Sequence, residues 1–444
     1  MTLNPQLRWR PTNATRARRH DDIWFIDADR GWTVNSDGKV LKTENGGASW
    51  TRQFHLPNVW LRCVGFSNEL TGWVGTTSAA NRLFRTRDGG QTWTRVSGLP
   101  AVAPFVCGLS VVNEHVIYGA GTNEPGNINN GAVANIPGVI KSTDGGETWV
   151  GLDLRQHANL LVDIYFPEPD RGWVVGGKAD VPNPTTRGRV RPVVLFTDNG
   201  GQTWRNLVAD LDLPLGEWGW KIFFVNDQVG YVSLENLDDG AVLKTTDGGR
   251  TWTRKPVNDQ QGNANLEGIG FVDEQNGWVG GWGDREFHGG FSSATSDGAE
   301  NWRDANEIGR FINRFRFLGD PVSVGYASGD TIYKYSSEPV LELVLATAPS
   351  KVLPAATEAS TETAAPVEIV FDVPDGAQRL TINVWDRFAV HVACPIDEPN
   401  PMPGRRLFTW DFRDDSGAQL EPGYYVYRVS IDDDSESRVI RVIK

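Results

Sequence analysis

The segment KSTDGGETW, residues 141–149, occurs six times in this chain in slightly different forms. The tryptophans that end successive copies are 43, 56, 55, 48 and 50 residues apart. A period of roughly 40–50 residues built from short strands is typical of a β-propeller, in which each repeat forms one four-stranded sheet, or blade. The other five copies, called boxes together with the first, are KTENGGASW (42–50), RTRDGGQTW (85–93), FTDNGGQTW (196–204), KTTDGGRTW (244–252) and ATSDGAENW (294–302).

A second repeated element, usually a glycine followed by an aromatic residue, lies about 20 to 30 residues before each box tryptophan. One repeat therefore predicts four strands: A (LVDIYF, 161–166), B (WVVGG, 173–177), C (PVVLFT, 192–197) and D (QTWRNLV, 202–208). Apolar and polar residues alternate in strands A and C, as they do in half-buried strands, and no segment has a convincing helical period. The box lies in the hairpin between strands C and D.

Six boxes are compatible with seven blades. The last repeat, residues 311–337, supplies strands A, B and C but neither a box nor a strand D. The N-terminal segment QLRWRP (6–11) resembles the D strands and is expected to take that place. We therefore predict an all-β chain in which residues 1–338 form a seven-bladed β-propeller closed by the N-terminal strand. Closure would remove two free sheet edges that invite aggregation.

The acidic or amide residue of each box is predicted to hold its turn rather than to perform chemistry. A short side chain can accept hydrogen bonds from backbone N–H groups of its own turn, and glycine supplies the positive φ. Asparagine replaces aspartate in two boxes, which a turn tolerates and a catalytic acid does not. Ala299 replaces a glycine, which predicts a strained or differently shaped turn. The structural box residues are Asn45, Asp88, Asp144, Asn199, Asp247 and Asp297.

These motifs resemble those of the BNR/Asp-box propellers. The combination of GWVVG (172–176) with KTTDGGRTW (244–252) is most similar to the photosystem II stability/assembly factor type of propeller. The resemblance covers roughly residues 6–338. It implies the fold and leaves the function open, because one fold supports many functions.

The C-terminal part differs in composition. Residues 339–365 are rich in alanine, threonine, proline and serine and are predicted to form a linker. Residues 366–444 contain several strand-like segments and are predicted to form a small Ig-like β-sandwich. The run WDFRDDSGAQLEPGYYVYRV (410–429) resembles the Ig-like domain of flagellar hook-capping proteins and the sorting domains of type IX secretion. That resemblance implies attachment or assembly.

Composition excludes several classes of function. The formal net charge of −13 argues against binding to nucleic acid, and no stretch of roughly 18 apolar residues predicts a membrane span. The three cysteines, Cys63, Cys107 and Cys394, have no metal-ligand spacing, and no nucleotide-binding loop occurs, so neither a metal nor a cofactor is expected. The compartment stays open: cell surface or secreted if a signal was removed, cytoplasmic if Met1 is the native start.

Binding is expected on one face of the propeller. The B–C and D–A connections share a face, here called the front face, and the boxes lie on the opposite, back face. The insertions of this chain lengthen B–C connections, and loops on a rigid scaffold commonly bind partners. A basic cluster in the fourth blade would suit an anionic partner, or be a solvated loop. The candidate residues are Lys178, Arg187, Arg189 and Arg191 in the fourth blade and Trp282, Asp284, Arg285, Glu286 and His288 in the sixth.

The pattern favours a non-catalytic binding or scaffold protein that holds a protein complex or a glycan on the front face, with the Ig-like domain serving attachment or assembly. The alternative is a glycoside hydrolase, sialidase-like or xyloglucanase-like, acting from the same face. The Arg-Ile-Pro signature of sialidases is absent, and xyloglucanases use two propellers where this chain has one. Two front-face carboxyls about 5–9.5 Å apart would decide for catalysis. The candidate acids are Glu235, Asp238, Asp284 and Glu286.

Overall fold

The structure, a computed structural model, describes residues 7–121, 136–181, 187–284, 289–337, 361–363, 366–386, 391–420, 423–432 and 434–442. The chain divides into two compact units, Met1–Leu341 and Glu342–Lys444. Both are built from β-strands, and the described residues include only two short 3-10 helices, Arg187–Arg189 and Asn306–Ile308. The all-β class expected from the sequence is confirmed.

The strands of the first unit follow one another in hairpins. In chain order they are β1 (Arg8–Pro11), β2 (His20–Phe25), β3 (Gly31–Asn35), β4 (Lys39–Thr43), β5 (Thr51–His55), β6 (Leu61–Phe66), β7 (Gly72–Thr76), β8 (Leu83–Thr86), β9 (Thr94–Arg95), β10 (Gly108–Val111), β11 (Ile117–Gly121), β12 (Gly138–Ser142), β13 (Val150–Asp153), β14 (Leu160–Tyr165), β15 (Gly172–Ala179), β16 (Val190–Thr197), β17 (Arg205–Asn206), β18 (Glu217–Phe224), β19 (Gly230–Asn236), β20 (Ala241–Thr245), β21 (Thr253–Pro256), β22 (Ala264–Phe271), β23 (Gly277–Gly283), β24 (Ser292–Thr295), β25 (Arg303–Asp304), β26 (Arg314–Leu318), β27 (Val324–Ser328) and β28 (Ile332–Ser336).

Within the described residues these strands form seven four-stranded antiparallel sheets. Six sheets contain four consecutive strands, from the first blade (β2–β5) to the sixth (β22–β25), and the seventh has the order β1-β28-β27-β26. The first strand of each sheet contacts the first strands of both neighbouring sheets, and β26 contacts β2. The sheets therefore surround a common axis, with one inner strand from each blade lining it.

The N-terminal strand supplies the outer strand of the seventh blade. Strand β1 pairs antiparallel with β28, and Trp9 lies opposite Tyr335. The half-buried Trp9 ring makes edge contacts with Trp278 of the sixth blade at 5.5 Å and with Phe315 at 5.6 Å. Such aromatic contacts add to the free energy gained from burial. Trp9 thus occupies the wedge between blades that box tryptophans fill elsewhere.

Replacing Trp9 with alanine should test how strongly this strand closes the ring. We expect Trp9→Ala to lower the free energy of unfolding by about 2–4 kcal/mol, because a large ring leaves an aromatic cluster. Arg8→Ala, on the same strand but exposed, should change it by no more than about 0.5 kcal/mol. Urea unfolding followed by circular dichroism measures both. Equal stabilities of the two variants would show that β1 does not hold the ring closed.

The glycine–aromatic element explains how neighbouring blades pack. The aromatic ring stacks on a phenylalanine at the end of the next blade's inner strand, as Trp32 does on Phe66 at 3.8 Å and Tyr231 on Phe271 at 3.8 Å. The box tryptophan of that next blade meets the same phenylalanine edge-on, as Trp302 meets Phe271. Each such junction buries three aromatic rings, one from the preceding blade and two from the following blade.

The glycine itself is required by the same phenylalanine. A Cβ added at Gly277 would stand 2.4 Å from the Phe271 ring, and one at Gly172 would stand 2.3 Å from the ring of Phe166. Real Cβ atoms do not approach a ring so closely, so a side chain here would push the phenylalanine out of its stack. The glycine therefore lets the inner-strand phenylalanine lie flat against its own sheet.

Each box holds its hairpin through a small set of hydrogen bonds. In the third blade the Asp144 carboxylate accepts from the backbone N–H of Thr148 at 2.9 Å and from the hydroxyl of Ser142 at 2.8 Å. The Ser142 oxygen accepts from Gly146 N–H at 2.8 Å. Asn199 accepts from Thr203 N–H at 3.0 Å in the same way, so an amide oxygen serves as well as a carboxylate. These contacts are those of a turn clamp.

The box that ends at Trp302 keeps the common turn shape despite its alanine. Ala299 has φ 73°, close to φ 80° of Gly249 at the equivalent position of the fifth blade. The turn is therefore strained rather than differently shaped, because a side chain is unfavourable in the left-handed region. Ala299 is fully buried, and its methyl group packs in the core between the fifth and sixth blades.

Ala299→Gly should consequently stabilise the propeller. We expect the free energy of unfolding to rise by about 0.5–1 kcal/mol, since relief of strain exceeds the loss of one buried methyl group. Ala305→Gly provides a matched control: Ala305 is also fully buried but has φ −147°, so the same change should be destabilising. Thermal unfolding separates the two, and a lower melting temperature for Ala299→Gly would contradict the strain argument.

The second unit forms two sheets around one core. Its strands are β29 (Thr361–Thr363), β30 (Val367–Val373), β31 (Arg379–Asp386), β32 (His391–Pro399), β33 (Gly404–Trp410), β34 (Gly423–Ile431) and β35 (Asp434–Val442). One sheet has the order β29-β35-β34-β31-β32, and the other pairs β30 with β33. Side chains from both sheets, including Phe371, Ile382 and Trp410, pack in a single core. The Ig-like assignment stays a prediction.

The structure places a strand inside the predicted linker. Residues 338–360 lie outside the described residues, but Thr361–Thr363 form β29, which pairs parallel with β35. Backbone pairing with a sheet edge depends little on side chains, which explains why composition predicted a linker up to residue 365. The second unit therefore includes residues before 366.

Candidate functional site

The inner strands carry charged side chains to the propeller axis. Because strand A follows the D–A connection, its first residues lie nearest the front face. In five inner strands the ladder skips a residue, and such a bulge turns two successive side chains to one side. The register shifts lie between His20 and Asp22, Leu61 and Cys63, Leu161 and Asp163, Gly219 and Ile222, and Leu266 and Gly268.

Arg314 joins three blades at this level. Its terminal nitrogens donate to the two carboxylate oxygens of Asp163 at 2.6 and 2.9 Å, and its Nε donates to Asp22 at 3.0 Å. Asp22 also accepts from the backbone N–H of Val64, and Asp163 from that of Ile222, each on the next blade. Burial acts to raise the pKa of Asp163, but Arg314 and Lys221 hold it below its ordinary value.

A second set of ion pairs lies nearer the front face. Arg19, which directly precedes β2, binds both Asp21 on that strand and Glu267 of the sixth blade, and Arg62 donates to Asp21 at 2.6 Å. Glu267 also accepts from the indole N–H of Trp282 at 2.9 Å. All four charged side chains are at most 2% exposed. Salt bridges therefore connect the first, second and sixth blades on the axis.

The axial cluster has more cations than acids among the described residues. The cations are Arg18, Arg19, Arg62, Lys221, Arg314 and Arg316, and the acids whose charges act on them are Asp21, Asp22, Asp163 and Glu267. Burial and the charge of Arg314 lower the pKa of Lys221 to about 8. Burial and Arg19 lower the pKa of Arg18 to about 9. A positive interior thus exists in a chain whose net charge is −13.

The basic residues predicted in the fourth blade are largely occupied. Lys178 donates from Nζ to the Arg155 carbonyl at 2.8 Å, and Arg189 forms an ion pair with Asp180 at 2.7 Å. Arg191 is exposed and lies opposite Lys178 in the β15–β16 ladder. Arg187 begins a 3-10 helix, and its side chain lies outside the described residues. The structure brings Lys178 and Arg191 together but engages Arg189 elsewhere.

The sixth-blade candidates separate in the structure. Trp282 is 5% exposed and belongs to the axial cluster through Glu267. The Asp284 carbonyl accepts from the Asn265 side chain at 2.7 Å. Arg285, Glu286 and His288 lie outside the described residues. Trp282 is therefore an internal wall of the site and does not belong to an exposed rim.

The charged cluster on the axis was not predicted from the sequence, although the inner-strand sequences contain a pattern that could have indicated it. The charged residues stand in otherwise apolar inner strands, immediately before the segments that end in phenylalanine. The relevant stretches are HDDIWF (20–25), LRCVGF (61–66), LVDIYF (161–166), LEGIGF (266–271) and NRFRF (313–317). A charged residue at such a position is expected to find a partner across the axis, because an unpaired buried charge is costly.

The alternative of glycoside hydrolysis gains no support from the axial acids. Asp21, Asp22, Asp163 and Glu267 each form an ion pair with a buried arginine, so their oxygens are engaged within the protein. Glu235, a candidate acid, is buried and accepts from the Trp218 indole at 3.0 Å. Another candidate, Glu286, lies outside the described residues.

Among the described residues, no group of three or more histidine, cysteine, aspartate or glutamate side chains is placed to hold a metal ion. Nor do those residues include a helix with the length and apolar character needed to cross a bilayer.

The ring of sheets, the boxes and the charged axis define a β-propeller of the Asp-box class. Residues 3–104 match the family described as Photosynthesis system II assembly factor YCF48. The Photosystem II assembly lipoprotein Ycf48 of Synechococcus sp. (strain CC9902) is 25% identical over 272 residues, which cover 54% of this chain and 76% of that protein. The first unit is thus similar to the photosystem II assembly factor propellers, which confirms the resemblance found in the propeller sequence.

Solved structures agree on the fold. The structure described as YCF48 bound to D1 peptide has a TM-score of 0.53 at 15% identity, covering 76% of this chain and 99% of that chain. The GH74 enzyme of Niastella koreensis has a TM-score of 0.51 at 11% identity, covering 97% of this chain and 73% of the enzyme. At such identities the likeness shows the fold alone and does not choose between binding and catalysis.

Asp163→Asn should show how far the propeller depends on the axial ion pairs. We expect the free energy of unfolding to fall by about 3 kcal/mol or more, because Arg314 stays buried with one carboxylate instead of two. Asp210→Asn, on the exposed surface after the fourth blade, is the control and should change it by no more than about 0.5 kcal/mol. Similar unfolding midpoints for the two variants in guanidinium would contradict a structural role for Asp163.

Proposed function

We propose that this protein is a non-catalytic binding protein that holds a segment of a partner protein at the front mouth of the propeller, in the manner of an assembly factor. The observation that carries the proposal is the placement of Arg18. Its guanidinium carbon lies 4.5 Å from the centre of the Trp282 ring and 5.6 Å from that of Phe311. Its Nε is buried and has no hydrogen-bond partner among the described residues.

A half-buried cation stacked on aromatic rings is suited to a peptide. The guanidinium can donate to carbonyl or carboxylate oxygens of a partner, while the half-buried ring of Phe311 offers apolar contact. Arginine is also among the residues that commonly dominate binding energy at protein interfaces. Arg18 immediately precedes Arg19 and the first inner strand, so it lies at the front end of the axis.

The relatives favour a protein segment over a glycan as the partner. One structure of the same fold is described as YCF48 bound to D1 peptide, and a curated relative is described as an assembly lipoprotein. This chain would share with them only the general property of a propeller that binds a polypeptide during assembly. A glycan partner has no comparable observation in its favour.

The proposal also assigns roles to the fourth blade and to the second unit. Arg191, exposed beside Lys178 in the β15–β16 ladder, would provide a second contact for an acidic part of the partner. The second unit would serve attachment or assembly. Its separate core supports that role, because it can form its two sheets without residues of the propeller.

The proposal is tested with tagged full-length protein expressed in its source cells. We expect Arg18→Gln to reduce the amount of co-purifying partner at least about fivefold, as loss of a charged hydrogen bond would. Arg250→Gln is the matched control, because Arg250 is exposed in a box on the back face. Melting temperatures of the purified variants should match that of the unaltered protein, and quantitative mass spectrometry measures the partner.

Two results would overturn the proposal. Loss of the partner in Arg250→Gln with full retention in Arg18→Gln would place binding on the back face. Hydrolysis of xyloglucan or of a sialyl oligosaccharide by the purified protein, at a rate abolished by a single carboxylate substitution, would show an enzyme.

A further inference from the structure

Three neighbouring side chains on the axis have buried donors without partners among the described residues. These donors are Nε and Nη2 of Arg62, Nζ of Lys221 and Nε1 of Trp220. Arg62 lies on the second blade and the other two lie on the fifth, yet the Arg62 guanidinium carbon is only 5.2 Å from the Trp220 ring centre. The two blades therefore meet across the axis with donors on both sides.

The acids around these donors are already engaged. Both oxygens of Asp163 accept from Arg314, and Asp22 accepts from Arg314 and from two backbone N–H groups. Asp21 accepts from Arg19, from the Trp60 indole and from Nη1 of Arg62. Lys221 has no such bond to any of them, so its Nζ faces the axis with its charge only partly compensated.

The free edge of Arg62 is the informative feature. Nη1 binds Asp21, which leaves the parallel N–H groups of Nε and Nη2 unused. That edge matches two oxygens of a carboxylate, sulfate or phosphate group. Any water molecule bound to these donors must place its own hydrogens on acceptors. The unpartnered amide oxygens of the axis, on Asn265 and Asn313, belong to the sixth and seventh blades.

We propose that the propeller axis holds one small free oxyanion, of the phosphate or sulfate class, bound in bidentate fashion by Arg62 and further by Lys221 and the Trp220 indole. These side chains are at most 4% exposed, which excludes a side chain of a partner and favours a free ion enclosed by the ring. The ion would offset the surplus of cations on the axis. The inference does not depend on the function proposed for the front mouth.

The test uses the full chain dialysed into chloride buffer. Phosphate and, separately, sulfate are titrated in at constant ionic strength while the melting temperature is followed. Binding to the folded state alone raises that temperature as the ion concentration exceeds its Kd. We expect a saturable rise for the unaltered protein, and for Lys221→Met a Kd at least about tenfold weaker, since a charged hydrogen bond is lost.

Lys244→Met is the matched control, because Lys244 donates to a backbone carbonyl on the back face and lies outside the axis. It should respond to the ions as the unaltered protein does. Trp220→Phe keeps an aromatic ring of smaller size and removes the indole N–H while leaving Lys221 in place, so it provides a second variant if Lys221→Met does not fold. It should weaken the ion response while leaving partner binding intact.

A crystal grown with selenate in place of sulfate gives the direct observation. We expect one anomalous selenium peak within hydrogen-bond distance of Nε and Nη2 of Arg62. Only ordered waters at that place, or a melting temperature that responds to the ions equally in Lys221→Met and in the unaltered protein, would overturn the proposal.

Discussion

Arg314 is the side chain on which the arrangement of the propeller axis depends. It binds Asp163 with both terminal nitrogens and Asp22 with Nε, so three strands from the first, fourth and seventh blades meet at one buried point. Ion pairs in such a place stabilise only when their geometry is good, because removing charges from water is costly. Opening of the ring between β1 and β28 would leave the seventh blade without its outer strand and would loosen the blade that carries Arg314. Closure at the periphery and pairing at the axis therefore support each other.

The outer parts of the blades depend on short-range contacts instead. A box joins residues within four positions of one another, as in the bond from Thr148 to Asp144, and the aromatic stacks join only adjacent blades. The same contacts recur around the ring, so no single box decides the fold. The axis is different, because its salt bridges link blades that are distant in sequence, such as Asp163 and Arg314. A substitution in a box disturbs one hairpin, whereas one on the axis disturbs several blades at once.

This difference explains what could be predicted from the sequence. The boxes and the glycine–aromatic elements were visible because the same local geometry demands the same residues in each repeat. The inner-strand position of Asp22 carries Cys63 in the second blade, Lys221 in the fifth and Arg314 in the seventh, so comparison of repeats hides it. An acid on one blade pairs with an arginine on another blade across the axis. The two partners are different residue types, so the pairing does not repeat from one blade to the next in the sequence. The candidate binding residues were chosen from insertions because loops on a rigid scaffold commonly bind partners. Ion pairs such as that of Arg189 with Asp180 depend on loop geometry, which the sequence does not specify.

Where the repeats differ is therefore where this chain can have a function of its own. The axial acids bind arginines of other blades, which gives them a structural role. The donors that the cluster leaves without partners belong to cations. They are the Nε and Nη2 groups of Arg62 inside the ring and the Nε group of Arg18, which stacks on Trp282 at the mouth. A closed ring can hold these cations close together because apolar cores between adjacent blades also stabilise it. The same closed ring makes them useful, since the oxygen atoms of an enclosed ion, or of a partner at the mouth, would find donors that are already desolvated and fixed in position.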